Sequence, residues 1–90
     1  MRKEILEILK VETKAAKRFL KAAGKRADEG KRAKAIELFD IGSMAKKIAD
    51  KAHDDLWKEA KGKLTEEEFE SFIEAETLRG DLIKAYQKIK

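Results

Sequence analysis

The 90-residue chain contains no cysteine, no proline and a single histidine. Without cysteine it forms no disulfide and offers no thiolate to zinc, and its redox compartment leaves no trace in the sequence. Aromatic residues make up only 7%, and none of them alternates with the basic residues as a base-stacking surface requires. No apolar run approaches the ~18 residues needed to span a bilayer, so no membrane partner is expected. The opening stretch, "MRKEILEILKVE", lacks the uninterrupted apolar segment of a secretory signal. The cytoplasm is the expected location.

Hydrophobic residues amount to 42% and charged residues to 44%. Scattered at random, that composition would favour disorder, but the apolar residues recur with a helical period. One folded, highly charged helical domain over residues 1–90 follows. A chain of this length hides roughly 60–65% of its unfolded surface without needing a metal or disulfide. Abundant lysine and glutamate without cysteine suit a thermophile, and a designed protein shares those traits. Charge is unevenly distributed: residues 1–34 hold twelve Lys/Arg against five Asp/Glu, a balance of +7, whereas residues 64–90 stand at −3.

The segment Gly62-Lys63-Leu64-Thr65-Glu66-Glu67-Glu68-Phe69 marks the firmest boundary. Gly62 suits the left-handed position after a helix, Thr65 and Glu68 have capping-box spacing, and three glutamates favour the positive helix end. Gly30 is preferred over Gly24 as the end of the first helix, because Ala27 continues the apolar face. The pattern therefore predicts helices over about 3–29, 32–61 and 65–89 in an all-α, up-down-up antiparallel three-helix bundle with long helices. The expected inward stripes are Ile5, Ile8, Leu9, Ala16, Phe19, Ala23 and Ala27, then Leu38, Ile41, Ala45, Ile48, Ala49, Ala52 and Leu56. In the third helix they are Phe69, Phe72, Ala75, Ile83 and Tyr86, edged by Ile73 and Leu82. So long a bundle is thin, which favours a homodimer.

No catalytic constellation is present. Ser43 has no base beside it, so the chain is expected not to be an enzyme and to need no cofactor. Phe39, Gly42, Ala45, Ala49 and Ala52 on the second helix suggest a groove where a partner helix seats against small residues. Lys10, Lys14, Lys17, Arg18, Lys21, Lys25 and Arg26 form a basic strip on the first helix, suited to a nucleic-acid backbone. Asp50 and His53 stand three residues apart, which is metal-ligand spacing on one helix face, and Glu12 and Glu76 would complete such a site from the other helices. The competing reading is ion pairing, with Arg79 bridging Glu76 to Glu12.

"Ala27-Asp28-Glu29-Gly30-Lys31" followed by "Ala35-Ile36-Glu37-Leu38-Phe39" resembles the helical hairpin of MIT domains, over about residues 16–45. Tetratricopeptide hairpins are similar. The resemblance implies that Ala35 and Phe39 pack on the first helix, and that a short helical peptide is bound, as MIT domains bind motifs of membrane-remodelling filament proteins. The expected function is that of a non-enzymatic module for protein interaction or self-association. Nucleic-acid binding through helix 1 is the alternative, and a designed protein whose main property is its fold is a further one. The caps and the lack of proline fit design, whereas Gly24, Gly42, Ser43 and Glu12 break its local rules.

Overall fold

A computed structural model describes all of residues 1–90. The protein is an all-α bundle made of α1 (Arg2–Asp28), α2 (Arg32–Ala60), α3 (Glu66–Glu76) and α4 (Leu78–Ile89). The last two follow each other across Thr77 and together form the third rod of a three-helix bundle measuring 45 × 17 × 15 Å. The unbroken helix expected over 65–89 is thus two segments. Thr77 Oγ1 donates to the Glu74 carbonyl at 2.7 Å, and the Thr77 amide reaches the same oxygen at 3.1 Å. These i−3 bonds tighten the turn and draw the carbonyl out of the regular ladder.

The turns form where the glycines place them. Gly30 has φ +78°, and beyond it the Lys31 amide returns to the Arg26 carbonyl at 2.9 Å, closing off α1. Lys61 and Gly62, with φ 53° and 79°, close α2 in the same way. A residue with a Cβ is disfavoured at such angles, which is why glycine recurs there. At the start of α3, the Glu68 amide donates to Thr65 Oγ1 (3.2 Å) and the Thr65 amide donates to Glu68 Oε1 (2.9 Å), so the capping box is formed.

Glu68 has a second task that its local spacing does not announce. The Arg2 guanidinium grips its carboxylate bidentately, through Nε at 2.7 Å and Nη2 at 2.6 Å, while Nη2 also reaches the Lys63 carbonyl at 2.8 Å. The carboxylate is buried, and these donors hold its pKa at about 2, chiefly through Arg2 and then through the Thr65 amide. One side chain therefore caps α3 and ties it to the start of α1.

The core is narrow. One cluster joins Leu6, Leu9 and Ala16 of α1 to Ala45, Ala49, Ala52 and Leu56 of α2, and to Ala75 and Leu78 of the third rod. A smaller one unites Leu20, Ala23 and Ala85. Of the stripes expected to face inward, Leu9, Ala16, Ala23, Ala45, Ala49, Ala52, Leu56 and Ala75 are buried, but one edge of each stripe is turned outward. Ile8, Ile41, Ile48, Phe69, Ile83 and Tyr86 are substantially exposed, and Leu6, Leu20, Glu68 and Leu78 are buried in their stead. The rotation follows from the small residues of α2, which let α1 approach closely enough for Leu20 to lie over Gly42. A Cβ at Gly42 would stand 2.9 Å from Leu20 Cγ and Cδ2 and 3.2 Å from the Leu20 backbone nitrogen.

That contact separates two otherwise similar helical glycines. Nothing lies within 4 Å of a Cβ built on Gly80. Gly80→Ala is expected to stabilise the protein by up to ~1 kcal/mol through helix propensity. Gly42→Ala gains the same propensity but forces Leu20 and its backbone aside, an overpacking worth about 1–3 kcal/mol, so a net loss is expected. Urea melts of the two variants check this. Shifts of the same sign would show that the α1–α2 seam is looser than described.

Candidate functional site

Two surfaces stand out, on opposite sides of the α1–α2 hairpin. The first is a groove of about 730 Å³ between α1 and α4. Its walls carry Lys14, Lys17, Arg18 and Lys21 from α1 and Lys84 and Lys88 from α4, against a single carboxylate, Asp81. Leu20, Gly24 and Ala85 make up its floor. Lys17 is fastened to Asp81 (3.2 Å) and to Thr77 Oγ1 (2.6 Å), and Lys88 to Asp28 (2.7 Å). Lys14, Arg18, Lys21 and Lys84 form no ion pair.

Of the basic strip expected on helix 1, then, the middle lines a groove and the ends do not. Lys10 is paired with Glu67 at 2.8 Å, and Arg26 with Glu29 at 2.8 Å, which holds the Glu29 carboxyl below its usual range. Lys25 is exposed, outside the groove lining. Lys84 and Lys88 belong to a different helix, so no spacing within α1 points to them. Only the packing of α4 alongside α1, which runs in the same direction, adds them to the strip.

The second surface is apolar. Ile8, Val11, Ile41, Met44 and Ile48 are exposed, with Ala15 and Phe19 half-buried beside them. On α1, Ile8 and Phe19 lie roughly 160–180° around the helix from Lys10 and Lys17, which touch the third rod. On α2, Ile41 and Ile48 lie roughly 120–180° from His53 and Phe39, which face the third rod likewise. The two sets therefore share the side of the hairpin that the third rod leaves bare. Because Leu20 lies over Gly42, Ile48 stands level with the stretch between Val11 and Ala15, and Ile41 with Phe19 and its next turn.

The expected partner-helix groove is not at this place. Gly42, Ala45, Ala49 and Ala52 are buried in the seam with α1, so α1 itself occupies the position a partner helix would take. Phe39 is turned the other way, its ring 6.2 Å from that of Tyr86 on α4.

The four residues considered for a metal do not converge, and no three His, Asp or Glu side chains come together anywhere in the chain as metal ligands would. His53 Nε2 does meet Glu76 Oε2 at 3.3 Å, and its ring stacks on Phe72 with centroids 3.6 Å apart. Asp50, one turn away, is taken by Lys46 at 2.8 Å. Glu12 lies on the bare side of the hairpin, away from His53, and Arg79 is exposed without bridging it to Glu76. A small hollow of about 310 Å³ lies between His53, Trp57 and Phe72.

Fold and surfaces together define a small all-helical bundle in which no helix is long and apolar enough to cross a membrane. Compared with protein-family models, with curated proteins and with solved structures, the chain matches none.

Proposed function

We propose that the protein is a non-enzymatic association module, and that its bare α1–α2 face is covered by a second copy of the same chain. The observation that carries this reading is the row of exposed aliphatic side chains, Ile8 and Val11 on α1 with Ile41, Met44 and Ile48 on α2. Contiguous apolar surface of this kind marks an interaction site rather than ordinary surface. The broad side of the molecule measures 45 × 17 Å, comparable with the ~800 Å² per partner that a stable dimer buries.

Charge favours self-association over an unrelated apolar partner. Glu12 and Arg18 lie three residues to either side of Ala15, and neither forms an ion pair in its own chain. The Arg18 guanidinium rests instead against the Phe19 ring, 5.5 Å from its centroid. Two copies of α1 crossing antiparallel at Ala15 set Glu12 of each against Arg18 of the other, and Val11 against Phe19. Such self-complementarity is what a two-fold interface requires. The outcome is a four-helix layer of two hairpins, with each third rod on the outside.

Sedimentation equilibrium over a concentration series tests this. Twice the 10.3 kDa chain mass is expected, and Val11→Glu combined with Ile48→Glu should give monomers of unchanged helicity. Ile73→Glu, on the third rod, should leave the dimer intact. A wild-type chain that stays monomeric at high concentration overturns the proposal, as does a dimer that survives the double substitution.

A further inference from the structure

The basic groove lies between α1 and α4; of its lining only Arg18 also borders the dimer face, and dimer formation leaves its lysines free. We infer that the α1–α4 groove binds the phosphate backbone of double-stranded nucleic acid, without regard to base sequence.

The fold holds six cations around one cleft; Lys17 is paired with Asp81 and Lys88 with Asp28, which leaves Lys14, Arg18, Lys21 and Lys84 unpaired. Asp81 is already engaged by Lys17, so it does little for the others. Like charges gathered from two helices repel one another, and an anion lying between the helices relieves that repulsion at Lys14, Lys21 and Lys84 together. The array is elongated rather than convergent. From Lys14 through Arg18 to Lys21, α1 offers a cation on each successive turn over roughly 10 Å, about the reach of three phosphates along one strand of a duplex, and Lys84 and Lys88 line the opposite wall. A compact phosphorylated metabolite would call for donors converging on a point, and the groove has none.

The lining also selects among nucleic acids. It contains no aromatic ring, so unstacked bases find no platform there and single strands gain little beyond charge. A duplex turns its phosphates outward and needs only a basic track. No asparagine is present anywhere in the chain, and its one glutamine, Gln87, lies outside the groove. No side-chain amide therefore reaches a base edge, and the lysines that dominate the lining meet phosphates as point charges, so the contact is one of positioning rather than readout.

The experiment is fluorescence anisotropy of an end-labelled, mixed-sequence 20-base-pair DNA titrated with the full chain. A dissociation constant in the micromolar range is expected at about 50 mM salt, with log K falling against log[salt] at a slope of about −3 to −4 for some four phosphates neutralised. The combined change Lys14→Glu, Lys21→Glu and Lys84→Glu should weaken binding at least tenfold and flatten that slope. Lys3→Glu, Lys47→Glu and Lys58→Glu change the net charge equally at exposed positions outside the groove, and should leave affinity within about threefold. Circular dichroism confirms that both variants fold, and Lys→Ala versions at the groove positions serve if charge reversal unfolds the bundle.

No binding of the wild type at low salt overturns the inference. So does equal weakening by the two triple variants, which would make net charge the sole cause. Tighter binding of the single strand than of the duplex would overturn the choice of ligand. None of these results bears on self-association, which is read by mass alone.

Discussion

Leu56→Ala is expected to destabilise the protein by about 2–5 kcal/mol. Leu56 is fully buried and lies in the larger core cluster among Leu6, Leu9, Leu78 and five alanines. Its side chain fills space that alanines cannot reach, and helices already held at close distance by an alanine seam cannot collapse further to fill the void. The loss is large against the ~5–15 kcal/mol that holds a domain of this size together. Equilibrium denaturation at fixed protein concentration measures it, with Ile73→Ala at an exposed site as the control, expected within about 0.5 kcal/mol of wild type. A loss below about 1 kcal/mol for Leu56→Ala would mean that the core lies elsewhere.

The second large effect belongs to the Arg2–Glu68 clamp. Its carboxylate has a pKa of about 2 in the folded chain, against ~4.3 for an unperturbed glutamate. Because the folded value is the lower one, the stabilisation is fully present above about pH 5 and is lost as pH falls through the unfolded value towards 2. Glu68→Gln removes the charge with little change of shape. It forfeits the ionic part of the Arg2 contact, on the order of 2 kcal/mol at pH 7; Arg2 is partly open to solvent, which keeps the figure from being larger. The gap in stability between wild type and variant should narrow steadily between pH 5 and pH 2. A gap that stays constant over that range would show that shape rather than charge supplies the effect. Since the clamp joins α3 to the start of α1, acid should loosen the α3 end of the third rod first.

Much of this fold was legible in the sequence because its punctuation is local. Gly30 and Gly62 mark the two turns, and Thr65 with Glu68 forms the cap that their spacing implies. The phase of the helices was legible only in part: Ala45, Ala49, Ala52 and Leu56 of α2 face inward as expected, whereas the α1 stripe is turned. On α1 the apolar arc is wide, with Leu6, Leu9, Ala16, Leu20 and Ala23 on one flank and Ile8, Val11, Ala15 and Phe19 on the other. A period of 3.6 residues gives the arc but not the flank that turns inward. Tertiary fit decided it, through Leu20 settling over Gly42.

The same limit shaped the reading of function. Small residues on α2 looked like a landing place for another helix, and they are one, for α1. Arg2 and Glu68 are 66 residues apart, and Lys14 and Lys84 face a common groove only once α4 lies on α1. Pairings of that span leave no local spacing to find. Asp50 and His53 show the converse, since helical spacing put them within reach of each other while Lys46 and Phe72 drew them to different partners.

The alanine seam has a further consequence, for how the sequence can change. Large core side chains come from α1 at Leu6, Leu9 and Leu20, with Leu56 and Leu78 added, whereas α2 otherwise brings Ala45, Ala49 and Ala52. The two helices therefore face opposite constraints on substitution. Positions on α1 fail when made smaller, and their partners on α2 fail when made larger. A randomised library would recover bulky residues on one helix and small ones on the other, with few exchanges between them. Divergence of this fold would then proceed by paired exchange across the seam, one side growing as the other shrinks.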